Sequence, residues 1–521
     1  MSTSWLKNSV FYEIYPQSFY DSNSDGIGDL RGITVKLDYI KNLGCDAIWI
    51  NPIYDSPFMD AGYDVRDYKK IAPRYGTMED FEHLLEQAHK KDMRILLDLV
   101  PGHTSDTHEW FQSAKTGFPT PHDDRYIFTK CVWDAPSEYR MMCGICERDG
   151  NYMVNYFSSQ PALNYGFYEV THPEWQFSSD SPEAWATVDA LKDIMRFWLD
   201  KGIDGFRVDM ADSLVKNDDD KVATAKIWRN IREMMDNDYP DAVLVSEWSN
   251  PLRAIVKAGF HADFYLDHQG NGYNELFRKR ATPDGDNLSF FADGAHGDIT
   301  AFLADYVPAY LCSKDHGYIS FITNNHDMPR APFYMSEWMV QLSHAFIMTM
   351  PGVPFVYYGD EIGMRYRTDL ISKEGGFSRT GSRTPMQWTR EVQAGFTTGK
   401  PWLPVERDYR HWCVEAEAES EESVLSYYRR LTALRARLAV LTAGDYEELL
   451  PDDERIYAFR RTLGGEKTVT LVNFTLEPVN YDMALVDGLT RADGSYPEET
   501  EEPGTLQPLE AVIYTNCQKK E

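Results

Sequence analysis

At 521 residues the chain is too long for one small core and implies one large domain with one or two smaller ones. Hydrophobic residues make up 43% and aromatics 14%, enough to bury a sizeable interior. A net charge of −30 argues against nucleic acid or an anionic membrane as partner, while a neutral polar ligand stays open.

The opening MSTSWLKNSV has no charged segment followed by an apolar one, so no secretory signal is expected. No long uninterrupted apolar run predicts a membrane span. The first β-rich segment is SVFYEIYP at 9–16. Just after it, DSNSDGIGDLRG at 21–32 sets Asp21, Asn23, Asp25 and Asp29 around Gly26, the ligand spacing of a calcium loop. Its twelfth position is Gly32 rather than glutamate, and the segment before it contains Pro16, so a helix-flanked EF-hand is not expected.

Seven more apolar segments follow: AIWINPI (47–53), RILLDLVP (94–101), GFRVDMA (205–211), VLVSEW (243–248), ADFYLD (262–267), YISFITNNHD (318–327) and PFVYYGDE (354–361). They read as buried parallel strands. Helical patterns separate them. Residues 77–92 pair Thr77 with Asp80 as a capping box and repeat Phe81, Leu84, Leu85 and Ala88 on one face. Ser181-Pro182 opens another helix that ends near Gly202.

Eight strands alternating with helices predict an α/β fold, a (β/α)8 barrel. The third and fourth strands lie about a hundred residues apart, far more than one helix needs. Residues 104–168, rich in Pro, Gly, Asp and Tyr, are therefore expected as an inserted lobe. The barrel then covers 1–103 and 169–438. The acidic run EAEAESEE at 415–422 reads as solvated surface. Past about 440, RIYAFRRT and KTVTLVNFT joined by LGGE form a hairpin signal, so 439–521 is expected as a small antiparallel β-sandwich.

The seven cysteines are odd in number and scattered, which fits a reducing, cytoplasmic setting better than a disulfide framework. Cys143 and Cys146 form a lone C-x-x-C and read as incidental thiols.

The active site of such a barrel lies at the carboxyl ends of its strands. Asp98 and His103 fall there after the third strand, Arg207 and Asp209 after the fourth and Glu247 after the fifth. Asn325, His326 and Asp327 follow the seventh, and Asp360 and Glu361 the eighth. Neither H-x-H nor H-E-x-x-H is present, so a catalytic metal is not favoured. Two carboxylates across a bond are what glycoside cleavage needs. Arg207 would keep Asp209 ionised, and Glu247 beside Trp248 would retain its proton.

The stretches DLVPGHTS, QPALN, GFRVDMA, VSEW, TNNHD and GDEIGM, in the family's order, resemble the α-amylase family, glycoside hydrolase family 13. The branch it looks most like holds oligo-1,6-glucosidase, α-glucosidase, trehalose synthase and sucrose isomerases. The resemblance implies Asp209 as nucleophile, Glu247 as general acid and base, and Asp327 as stabiliser of the transition state. It implies that Tyr63 stacks on the sugar, His103 and His326 bond it, Arg207 orients Asp209 and Asp98 supports the arginine. Asp60 would grip the non-reducing end, paired with Arg383 of RTPMQW. Asp21, Asn23, Asp25, the Ile27 carbonyl and Asp29 would hold a structural Ca²⁺ or Mg²⁺.

The implied activity is a retaining exo-acting α-glucosidase on small α-linked oligosaccharides or disaccharides. The same scaffold also serves transglycosylases and isomerases, endo-acting α-amylases and, with its acids lost and a membrane span added, transporter heavy chains. Three positions depart from the family pattern: Gly102 stands where asparagine is usual, Ala162 where QPDLN has aspartate, and Met210 follows the nucleophile.

Overall fold

The computed structural model describes residues 4–143, 146–266, 272–277, 289–292, 299–496 and 503–517. All eight expected strands form, each shorter than its apolar segment: Phe11–Ile14, Ala47–Ile50, Arg94–Leu99, Gly205–Val208, Val243–Ser246, Ala262–Phe264, Tyr318–Ser320 and Phe355–Tyr357. Residue 267, the last of the sixth expected segment, lies outside the described residues. Neighbours pair in parallel in sequence order, and the first strand pairs with the eighth at Phe11↔Phe355. The ring closes between seventh and eighth through backbone bonds from Val353 to Ile319 (3.2 Å) and from Phe355 to Phe321 (3.0 Å). The interior strands are buried on both faces, which is why they read as unbroken apolar runs rather than as alternating ones.

The helix caps behave as their sequences dictate. Helix Met78–His89 has Thr77 accepting from the Asp80 amide while the Asp80 carboxylate accepts from the Thr77 amide, and it buries Phe81, Leu84, Leu85 and Ala88. Helix Pro182–Leu199 is capped by Ser181 and closed before Gly202. Among the described residues no helix is long and apolar enough to cross a membrane.

Between the third strand and that second helix the chain leaves the barrel. It builds a short helix, Glu109–Ala114, and a two-residue strand pair, Met141–Met142 with Tyr152–Met153. Phe111, Tyr126, Phe128 and Tyr152 pack edge and face around one another inside this lobe. The lobe stays tied to the barrel exit by the His103↔Ala162 bridge. Cys143 is exposed and Cys146 partly buried, both as free thiols.

At the carboxyl-terminal end, five antiparallel strands run in the order Asp445–Glu448, Ile456–Leu463, Glu466–Asn473, Glu510–Thr515, Thr490–Gly494. The 463–466 turn is the expected hairpin. Side chains alternate: Tyr457, Phe459, Val472 and Ile513 join the barrel core, while Ile456, Ala458, Val469, Leu471 and Val512 pack under the small ladder Val479–Asn480 with Thr505–Leu506. The expected sandwich is thus a five-stranded sheet between the barrel and a two-stranded cover.

Candidate active site

The carboxyl ends of the strands open on a cavity of about 300 Å³ lined by Asp60, Tyr63, His103, Tyr156, Asp209, Met210, Glu247, Asp327 and Arg379. The three acids implied as catalytic meet there. Behind them stands Arg207, fully buried, whose guanidinium touches Asp98 (2.9 Å), Asp209 (3.1 Å) and Glu247 (2.7 Å) and lies 4.8 Å over the Trp49 ring.

One arginine serving three carboxylates changes the expected electrostatics. Burial, with the adjacent Glu247 carboxylate, pushes Asp209 well above the ordinary carboxylate range, and Arg207 only partly offsets this. Asp209 is thus not held ionised by Arg207 alone, as the sequence led one to expect.

Asp327 is held the opposite way. It pays the desolvation cost of burial, yet the His326 imidazolium and the guanidiniums of Arg379 and Arg383 keep it well below the usual range. Both arginines reach its Oδ1 at 2.8 Å. His326 lies between carboxylates: Nδ1 is 2.7 Å from Glu13 Oε1, and Nε2 is 3.1 Å from Asp327 Oδ2. Burial alone would discharge the ring, but the two acids raise it to about 9. Tyr63 stacks on His326 at 5.3 Å; its hydroxyl donates to Asp98 at 2.9 Å and lies 2.7 Å from His326 Nε2.

The expected pairing of Asp60 with Arg383 does not form. Asp60 meets Arg379 at 3.0 Å, and Arg383 instead contacts Asp327 and donates to the His326 carbonyl at 2.9 Å. The cause is burial: Arg383 is sealed beneath the turn Phe377–Ser382, 5.3 Å from the Tyr15 ring, while Arg379 on the same turn faces the cavity.

Of the expected sugar-binding residues, Asp60, Tyr63 and His103 line the cavity, whereas Asp98, Arg207, His326 and Arg383 form the layer behind it. Asp360 and Glu361 turn away from the mouth. Asp360 accepts from Thr323 (2.6 Å) and Asn324, and Glu361 accepts from Tyr12 and Tyr39, both at 2.7 Å.

Sequence reasoning passed over Tyr156, Arg379 and Glu13. Arg379 was legible as a second arginine within FSRTGSRTPMQW, and Glu13 as the one acid inside the apolar strand FYEI. Tyr156 had no local signal beyond its place in the lobe.

The loop after the first strand is organised by its own side chains. Asp21 accepts from the amides of Asn23 (3.0 Å), Ser24 (2.7 Å) and Gly26 (2.8 Å) and from the Thr397 hydroxyl (2.5 Å). Asn23 and Asp25 accept from the amides two residues on, and Asp29 caps helix Leu30–Asn42 through the Gly32 amide. Gly26 has φ +96°, and a Cβ there would lie 2.0 Å from the Lys400 carbonyl oxygen. Among the described residues no three acidic, histidine or cysteine side chains group as a ligand set. The ligand atoms are nonetheless all oxygen, the kind a hard divalent cation takes, although Asp21 and Asp29 already accept four hydrogen-bond contacts each, some of which a bound cation would replace.

Residues 13–444 match the family model described as the catalytic domain of alpha amylase. The chain is 32% identical to the oligo-1,6-glucosidase of Heyndrickxia coagulans, covering 98% of this chain and 99% of that one. It is 34% identical to the trehalose synthase/amylase TreS of Mycolicibacterium smegmatis, over 89% and 83%. Among solved structures, the trehalulose synthase MutB from Pseudomonas mesoacidophila MX-45 superposes with a TM-score of 0.81 at 28% identity, over 98% and 99% of the two chains.

Proposed function

The chain belongs to the alpha-amylase family of glycoside hydrolases, and from that premise we propose that it is a retaining, exo-acting α-glucosidase that removes single glucose units from short α-glucosides. The observation carrying this reading is the Arg379 bridge, which ties Asp60 to Asp327 and closes one side of the cavity. At about 300 Å³ the cavity suits one sugar ring in a dead end rather than a chain passing through.

In this reading Asp209 attacks the anomeric carbon while Glu247 passes its proton to the departing glycosidic oxygen, and the C–O bond breaks. Glu247, now a carboxylate, takes a proton from water. The water oxygen displaces Asp209, and two inversions leave the anomeric configuration retained. The positive charge spread over the ring at each transition state faces Asp327, whose charge is secured by His326, Arg379 and Arg383. The loop at 21–29 is proposed to take one Ca²⁺ or Mg²⁺ through Asp21, Asn23, Asp25, the Ile27 carbonyl and Asp29, as a fastening remote from the reacting atoms.

A sugar hydroxyl in place of water would give a transglycosylase or isomerase. The similarity to a trehalose synthase and a trehalulose synthase favours testing this directly. The experiment is a time course of products from maltose, isomaltose, sucrose, trehalose, kojibiose and soluble starch. Early glucose from the disaccharides, with starch viscosity preserved, is expected. Isomeric disaccharides as main products would move the chain to the transferase reading. Asp209→Asn should lower kcat/KM by at least about a thousandfold; retained activity would overturn the nucleophile assignment.

A further inference from the structure

The turn of the inserted lobe at 155–160 reaches the cavity wall at both ends. Its own frame is closed by the Asn155 amide donating to the Gln160 carbonyl (3.0 Å) and the Phe157 amide donating to Gln160 Oε1 (2.8 Å). From one end, Gln160 Nε2 donates to Asp60 Oδ2 at 2.8 Å. From the other, Asn155 Nδ2 lies 3.1 Å from His103 Nδ1.

The partners of His103 leave one assignment for its protons. Nε2 sits 3.1 Å from the Tyr63 carbonyl oxygen, which only accepts, so Nε2 carries the hydrogen. Nδ1 must then accept, and the Asn155 amide nitrogen is a donor. The orientation of that amide is fixed by its other end, where Oδ1 faces the Lys216 ammonium, a donor only, at 3.5 Å.

Why the lobe supplies this group is visible at position 102. Gly102 is not in the left-handed region, so its backbone would accept a side chain; only space decides. A Cβ built there would lie 2.6 Å from Asn155 Nδ2 and 3.2 Å from Ser213 Oγ. The Asn155 amide occupies the volume that a side chain at 102 would fill.

We propose that Asn155 is a positioning residue for His103: it takes the place left by Gly102 and donates to Nδ1, so that the ring is held as the Nε2–H tautomer between the lobe and the Tyr63 carbonyl and fixes the Tyr63 backbone in the cavity wall. Burial pushes His103 down to about 4, so the ring is neutral and its tautomer is what determines its role. The expected effect on turnover rests on the glucosidase reading; the tautomer lock does not.

The test is a ¹⁵N spectrum of histidine-labelled enzyme, with the His103 signals assigned by His103→Gln, together with kcat/KM on an aryl α-glucoside. Wild type should show a single Nε2–H pattern. Asn155→Ala, which leaves Nδ1 without its donor, should shift the Nδ1 signal and lose about tenfold in kcat/KM. Asn155→Asp, the same size but only an acceptor, should put a hydrogen on both ring nitrogens, giving an imidazolium pattern, and lose more. Gly102→Asn/Asn155→Ala should restore the wild-type spectrum and activity to within about twofold, because the new amide occupies the same space. An unchanged spectrum in both single variants at position 155, or no recovery in the paired variant, would overturn the proposal. A locked wild-type tautomer in an enzyme inactive on every α-glucoside would support the lock and sink the glucosidase reading instead.

Discussion

Glu13 has no contact with the cavity, yet it sets the charge of the site. It is fully buried in the first barrel strand, and burial raises its own carboxyl while His326 pulls it back. The groups facing His326 are Glu13 from the first strand, Asn51 from the end of the second, Tyr63 from the following loop, and its neighbour Asp327. Arg383 binds its carbonyl, and Arg207 stands behind Glu13. With a folded value of about 9, above the ordinary imidazole value, the charge on His326 is fully present at low pH and is lost as pH rises through 9. Stability and kcat/KM should therefore fall together on the alkaline side. Glu13→Gln removes one of the two acids, and the alkaline limb of a kcat/KM profile should move down by about one unit or more. A limb left near 9 would assign it to another group. At this scale the acids were legible, because each ends an apolar strand at the face where such barrels keep their sites. Which of two arginines four residues apart meets Asp60 was not legible, since that depends on which one the turn buries. Nor was the Asn155–His103 contact, whose members lie 52 residues apart.

Among the elements, the loop at 21–29 shows most clearly how far a local pattern carries. Its alternating oxygen side chains bend the backbone back on itself, each accepting an amide within five residues. That pattern reads directly from sequence, as do the Thr77 and Ser181 caps, because all three are short-range chemistry. What the pattern does not contain is the loop's far partner. The Asp21 amide donates to the Phe396 carbonyl, the Trp402 amide donates to the Gly26 carbonyl, and Ser24 meets Thr398. If a divalent cation also holds this loop, chelation should lower Tm while folded enzyme keeps most of its activity, because the loop lines no part of the cavity. Calorimetry before and after verified metal removal is the measurement. An unchanged Tm would mean that the amide bonds and the 396–402 segment hold the loop unaided.

Across the whole molecule, the carboxyl-terminal sheet is fastened to the barrel by a charged side chain that sequence alone would put on the surface. Arg461, 1% exposed, donates to the carbonyls of Thr349 (2.8 Å), Leu441 (2.8 Å) and Gly444 (2.7 Å). Arg435 donates to Met348 (2.8 Å) and Gly352 (2.6 Å). Met348 and Thr349 belong to the end of helix Glu337–Thr349 and its approach, where carbonyls lack helical partners. Arg461→Leu would strand several of them, and a loss of about 3 kcal/mol in urea unfolding is expected, with kcat unchanged in the folded fraction. An unaltered midpoint would mean that other groups satisfy those carbonyls. The barrel and the terminal hairpin were legible because their periodicities differ. The seam between them was not, since it depends on two arginines that lie in otherwise ordinary helix and strand patterns.

The closure of the barrel has a consequence in time. Phe11 pairs with Phe355, and the loop that follows the first strand is tied to residues 396–402. On a ribosome, the first strand must wait for a partner made about 340 residues later, roughly 20–70 s at ordinary elongation rates. Over that interval its edge beside the eighth strand has no native neighbour, so the nascent chain is most open to wrong pairing while the acids of the cavity are still being synthesised one by one.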